Sequence, residues 1–260
     1  DKLNSKLLKL EKYRISLIRK YNNVKNFNYN LELRKLINQI KINGIIPFSK
    51  YARFAFIGKK FLNSLKLKKI ISKKKYFLLI NSIDSIATKY ILLQKQSLKN
   101  KKLKSLYEKY FFHLRPGTYD LRINRYKNTL KPQKISNLRE ILSHNSSAHK
   151  ISKKELAKIN KFLSKNKMNL NSEIIINFCI SSIKLRENSK FIFTRSLSDM
   201  LELIKKFGRI QKLNSENLSK MKIDQILKLK KKNKKIFLNQ NKLTNTDLNY
   251  DEKAKLPYLI

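Results

Sequence analysis

Apolar residues recur at helical spacing along most of the chain. Leu3, Leu7, Leu8, Leu10, Tyr13, Leu17 and Ile18 predict a first amphipathic helix, which a polar stretch from Asn22 to Asn30 interrupts. Leu31 to Ile42 predicts a second helix ending near Asn43-Gly44, a natural C-cap. Pro47 sits where a first-turn proline belongs and opens a third helix through Phe48, Tyr51, Phe54, Ile57, Phe61 and Leu65. That segment is apolar over much of its circumference, so it should be largely buried. Ala52, Ala55 and Gly58, three residues apart, would let another helix approach closely. Ser72 caps a predicted long helix to about Leu98, with the stripe Phe77, Ile80, Ile83, Ala87 and Tyr90. A short helix then ends in Tyr110-Phe111-Phe112.

From His113 to about Lys150 the helical period is lost, and Pro116, Gly117 and Pro132 appear. So long an irregular stretch is usually functional or a linker. The period resumes at Ser152-Lys-Lys-Glu155, a capping box, and runs to Phe162-Leu163. Ser172 is read as the cap of a helix carrying Ile174, Ile175, Phe178, Ile183 and Leu185. Arg186 to Thr194 reads equally as continuation or as a break. Asp199 to Phe207 is helical and closes at Gly208, and short helices follow from Ser215 and from Met221 to Leu229. The lysine run Lys228–Lys235 reads as a solvated segment, and there is no internal repeat. The expected fold is all-α, an irregular multi-helix bundle with one long functional loop at about 113–150. Its parts are an N-terminal helical region (1–112), the loop (113–150), a C-terminal helical region (151–230) and a Lys/Asn-rich exit linker (231–260).

Composition narrows the function classes. Four Gly and four Pro in 260 residues are too few for β-sandwiches or Gly-rich nucleotide folds. One cysteine, Cys179, rules out a disulfide framework and a cysteine-based zinc site. His113, His144 and His149 lack ligand spacing with acidic partners, so no metal site is expected. No apolar run reaches the roughly 18–20 residues a bilayer span needs, and no secretory signal opens the chain, so a cytoplasmic protein without membrane contact is expected. The start at Asp1 and the apolar tail Lys255–Ile260 suggest a fragment of a longer polypeptide. A net charge of +44 suits a nucleic-acid partner. However, the excess is lysine spread along every helix, beside abundant Asn and Ile, as an AT-rich genome would write it. Nonspecific polyanion binding at low salt is expected either way.

The candidate chemistry gathers in two places. In His113-Leu-Arg-Pro-Gly-Thr-Tyr-Asp120, Pro116 holds Arg115 extended and Gly117 permits close approach. Thr118, Tyr119, Asp120, Arg122 and Arg125 lie within reach. Such a set binds phosphate or builds a buried polar network, and the residues favour a network with Arg115 paired to Asp120. The second cluster holds Arg186, Glu187, Lys190, Thr194, Arg195, Ser198 and Asp199. It reads as an anion contact or, preferably, an interhelical salt-bridge network, with Ser196 or Ser198 as a possible helix cap. His113 is more readily a hydrogen-bonded packing residue than an acid–base group. His144 and His149 read as loop decoration. No P-loop, GxGxxG, HExxH or nucleophile elbow is present, so no catalytic residue is assigned.

These segments resemble the central helical region of phosphoenolpyruvate synthase (pyruvate, water dikinase)-like, or PEP-utilising, enzymes. In that family a Gly-Thr-(Leu/Ile)-Pro-Phe-Ala-x-x-Ala-Arg segment precedes Gly-His-Leu-Arg-Pro-Gly-Thr-Tyr-Asp-Ile. A segment like Arg-Glu-x-x-Lys-Phe-x-Phe-Thr-Arg-x-Leu-Ser-Asp follows later. The counterparts are Asn43-Gly-Ile-Ile-Pro-Phe-Ser-Lys-Tyr-Ala-Arg53, the octapeptide from His113 with Arg125-Tyr126, and Arg186-Glu-Asn-Ser-Lys-Phe-Ile-Phe-Thr-Arg-Ser-Leu-Ser-Asp199. Together they span roughly residues 40–207, in the family's order. Phe112 replaces the Gly before the His, Ile123-Asn124 replaces a Ser-Pro, and Ile45 replaces the Thr. The resemblance implies a phosphotransferase that converts pyruvate or a related acceptor with ATP and Mg²⁺. In it, an ATP-grasp domain and a swivelling phosphohistidine domain would flank this region as partners. Neither the ATP-grasp motifs nor the phosphohistidine turn has a match here. The fragment is therefore expected to bind no cofactor and to be inactive alone. Arg53, Arg115, Thr118, Tyr119, Asp120, Arg122, Arg125, Arg186, Lys190 and Arg195 are its candidate ligand or interdomain contacts.

Overall fold

The computed structural model describes residues 2–98, 100–116, 119–126 and 151–230, with the isolated residues 235, 237 and 239. The fold is all-α, and no strand occurs among the described residues. The helices are α1 (Lys2–Asn23), α2 (Tyr29–Ile40), α3 (Ile46–Leu67), α4 (Lys73–Asn81), α5 (Ile86–Ser97) and α6 (Lys101–Phe111). After the loop come α7 (Lys153–Lys165), α8 (Ser172–Ile210), α9 (Ser215–Ser219) and α10 (Ile223–Leu227). The exit segment 231–260 and the loop from 127 to 150, with His144 and His149, lie outside the described residues apart from the three isolated positions.

The axis of the molecule is α8, whose 39 residues extend over roughly 58 Å. It passes through three apolar clusters in turn. Cys179 and Ile180 join Leu62, Leu65, Leu79, Ile159 and Leu163. Leu185, Phe191 and Ile192 join Leu7, Tyr51, Ile86 and Phe111. Leu203, Ile204 and Phe207 join Leu10, Leu33, Leu36, Ile40 and Leu218. Segments from both sides of the loop therefore share cores. Helix α3 lies along α8 most closely at Gly58, where an added Cβ would come within 2.9 Å of the Cys179 Cα. This is the close approach its small-residue spacing predicts.

Four local readings are corrected. Asn43-Gly44 does not end α2: residues Lys41–Ile45 form a π turn that carries the chain straight into α3. Gly44 is there for space, since a Cβ would sit 2.8 Å from the Phe193 Cβ and 2.9 Å from a Leu10 methyl. Second, the helix expected from Ser72 to Leu98 breaks after Asn81, and its two halves meet at 78°. Ile83 is buried in the break, while the Asn188 side chain of α8 accepts the Ile86 N–H at 2.9 Å and so starts α5. Third, Asn171, not Ser172, caps α8, accepting from the Glu173 and Ile174 amides. Fourth, α8 continues unbroken through Arg186–Thr194 and past Gly208. Ser72 and the Ser152–Glu155 box cap α4 and α7 as expected.

Helices α3, α7 and α8 share one ending. Lys69, Lys167 and Lys212 take left-handed φ values of 57°, 55° and 54°. In each case the next residue's N–H reaches back five residues: Ile70 to Leu65, Met168 to Leu163, Leu213 to Gly208. This is the Schellman pattern with lysine where glycine is usual. A left-handed non-glycine residue costs about 1 kcal/mol or more. Glycine's greater freedom in the unfolded chain offsets roughly 0.4 kcal/mol of this per site, so Lys→Gly at all three sites is expected to raise unfolding free energy by about 2 kcal/mol, because distant sites add. Urea titration of single and triple variants checks it, and no gain in any of them would refute the strain.

No single helix among the described residues is long and apolar enough to cross a membrane.

Candidate functional site

Between its second and third clusters, α8 turns polar residues inward. Thr194, Arg195, Ser196, Ser198, Asp199 and Glu202 are all buried there, because α1 and the loop after α6 cover that part of the helix. Buried charges persist only where partners meet them. Helix α1 supplies Glu11 and Arg14, one turn apart on its buried face. The loop supplies His113, Arg115 and Arg125.

Asp199 is the hub. One carboxylate oxygen accepts from Arg14 at 2.8 Å and the other from Arg125 at 2.7 Å. Arg14 also donates twice to Glu11, both at 2.8 Å. Burial opposes charge on Arg14, but the Glu11 hydrogen bonds and the Asp199 and Glu11 charges outweigh it and raise its pKa. Arg195 lies 3.9 Å from Glu11. Burial and then the neighbouring Arg14 push its guanidinium down to about 10, against the pull of Glu11 and Asp199. The Arg125 and Arg195 guanidiniums each stand 5.5 Å from the centroid of the Phe112 ring.

Arg115 fastens the loop. It donates to Glu202 at 2.7 Å, to the Ser198 carbonyl, and to the carbonyls of Asp120 and Ile123 in its own loop. Lys205 adds a bond to Asn124 at 2.9 Å. At the neck, the Tyr126 N–H donates to the Leu114 carbonyl at 3.0 Å. The expected Arg115–Asp120 ion pair is corrected. Asp120 instead pairs with exposed Arg122 at 2.8 Å, and those hydrogen bonds lower its carboxyl pKa.

His113 is fully buried, 4.9 Å from the Phe191 ring, with the Tyr110 backbone as its hydrogen-bonding neighbour. Burial, and then the charges of Arg195, Arg14 and Arg125, push its pKa well below the ordinary value. The imidazole is held neutral, as a buried packing residue.

The sequence candidates thus divide. Arg115, Arg125 and Arg195 enter the buried network. Arg186 pairs with its neighbour Glu187 at a partly exposed position, Lys190 is exposed, and Arg53 is exposed on α3 outside the network. Thr118 lies outside the described residues. Ser196 and Ser198 are interior residues of α8, not caps. Glu11, Arg14, Asn188, Glu202 and Lys205 were not anticipated. For the first two a signal exists: they occupy the apolar stripe of α1, between Leu10 and Leu17, where charge needs a buried partner. Burial pushes the Cys179 thiol up to about 12, which leaves it unreactive. Among the described residues no group of three His, Cys, Asp or Glu could hold a metal ion. Chemically the network is a clamp of mutually paired charges, without a poised base or nucleophile.

No protein-family model, curated protein or solved structure matches the chain.

Proposed function

We propose that this chain is the connecting helical domain of a PEP-synthase-like dikinase, which holds an ATP-grasp domain and a phosphohistidine domain in register. The observation that carries this reading is the convergence of the three resembling segments. Phe48 packs on Phe193 at 5.2 Å, Gly44 lies against the same residue, and Arg115 and Arg125 reach Glu202 and Asp199. Segments separated by dozens of residues thus support one another along α8, as parts of one scaffold would. The clamp ties the described part of the loop to α8, which suits a spacer between moving domains better than a catalytic centre. ATP, Mg²⁺ and the acceptor would bind to the flanking domains.

The expected outcome is that the polypeptide carrying this region between those two domains converts ATP, pyruvate and water to PEP, AMP and phosphate. Residues 1–260 alone should not. Coupled detection of AMP in both preparations checks it, and turnover by residues 1–260 alone would sink the connecting-domain reading. The rival reading, a basic RNA-binding helical protein, rests on the net charge of +44. It requires sequence discrimination that survives physiological salt, whereas lysines scattered over every helix should bind RNA with steep salt dependence and no preference.

A further inference from the structure

Beside the clamp, α5, the end of α6, the loop and the middle of α8 enclose a cleft of about 510 Å³. That is within the range of small-molecule sites, roughly 300–1,000 Å³. Its apolar wall includes Phe111, Phe191, Leu114 and Ala87, and Tyr90 and Tyr126 stand beside them.

Two further observations give the cleft a chemical preference. Arg115 and Tyr119 are both in its wall. The Arg115 Nε is buried and completes no hydrogen bond among the described residues, although the other Arg115 nitrogens are engaged, and the Tyr119 hydroxyl is hydrogen-bonded with Thr194. A buried donor without an acceptor is costly, and an acceptor group on a ligand would relieve it. The second observation is charge. Glu187, the acidic residue in the wall, is engaged by Arg186, while the ammonium of exposed Lys190 stands nearby. The wall is therefore electropositive on its polar side and aromatic on the other. We infer that the cleft is a binding site for a flat, largely apolar small molecule that carries one carboxylate. Its ring would lie among Phe111, Phe191 and Tyr90, and its carboxylate would face Arg115, Tyr119 and Lys190. The inference stands on the cleft and does not rest on the dikinase reading.

Calorimetric titration of the full chain with 1-naphthoate and with neutral 1-naphthalenemethanol tests it. Salt of about 0.3 M shortens the screening length to roughly 5 Å, which suppresses binding to scattered lysines. One naphthoate should bind per chain. Lys190→Ala should weaken naphthoate about 3–5-fold, as loss of an exposed charge contact would, and leave the alcohol unchanged. Ala87 is exposed, so Ala87→Trp should keep the wild-type melting temperature while filling the cleft and weakening both probes more than about tenfold, since the displaced ring contacts are hydrophobic. Failure of the wild type to bind naphthoate, several weak sites per chain, or wild-type affinity in a folded Ala87→Trp variant would each overturn the assignment.

Discussion

Replacing Asp199 by alanine is expected to destabilise the protein by about 3–5 kcal/mol, because removing one partner of a buried ion pair strands the other. Here one carboxylate serves two guanidiniums, and the Arg14 and Arg125 side chains are 0% and 1% exposed. Neither cation can turn to water without opening the packing between α1, the loop and α8. The loss should therefore lie at the upper end of that range. At about 2–4 °C per kcal/mol for a domain of this size, melting should fall by roughly 10–20 °C. Asn at 199 should rescue little, since its amide offers one acceptor and turns a donor toward a guanidinium. Asp120 provides the contrast. Its pair with Arg122 is equally short, but the Arg122 side chain is 51% exposed. Surface pairs contribute about 0–1 kcal/mol, so Asp120→Ala should barely move the transition. Urea denaturation of the three variants measures all this. If Asp199→Ala and Asp120→Ala lost similar amounts, the clamp would not be what holds the loop.

The same contrast shows which features were legible in the sequence. The octapeptide from His113 stood out because it lost the helical period and concentrated rare residue types. The structure does place an irregular, strongly tethered segment there. Its tethers were misassigned, however. Sequence spacing offers only near neighbours, so Arg115 was matched with Asp120, five residues away, and not with Glu202. A helix surface brings distant residues together in a way no local window shows. The same limit applies to α8. Arg186 to Thr194 reads equally as continuation or as a break, yet that stretch is mid-helix, and the part from Thr194 to Asp199 is enclosed. Its polar residues are buried because α1 and the loop bring opposite charges to them. Glu11 and Arg14 could have signalled this, since charge on an apolar stripe calls for a partner. Gly44 misled for a related reason. Near a helix end glycine commonly relieves backbone strain, but here it makes room for Phe193, and only the tertiary packing distinguishes the two.

Two of the four corrections follow one rule. Local propensity located the helices, and contacts with α8 set where α2 runs on and where α5 starts. Asn188 caps α5 from outside, and Phe193 and Leu10 hold the π turn in line. Stability should therefore concentrate along α8, and substitutions elsewhere should be mild by comparison.

His113 makes the clamp acid-sensitive. Its folded pKa lies well below the ordinary imidazole value of 6.5, because burial and then Arg195, Arg14 and Arg125 disfavour the imidazolium. Below about 6.5 the unfolded chain binds a proton at this residue and the folded chain does not. Unfolding is then favoured as pH falls, by about 1.4 kcal/mol per pH unit until the folded pKa is reached. The contribution is fully present above 6.5 and is lost on acidification. His113→Phe should remove that slope. The phenyl ring would sit among Phe112, Phe191 and the guanidiniums. At pH 7 the variant should match or exceed the wild type. By pH 5 it should be the more stable by about 2 kcal/mol, one proton's linkage over the intervening interval. Unfolding free energies of both proteins at pH 5, 6 and 7 measure this. Parallel pH profiles would mean that the imidazole takes up its proton in the folded state, and would refute its enclosure by the three arginines.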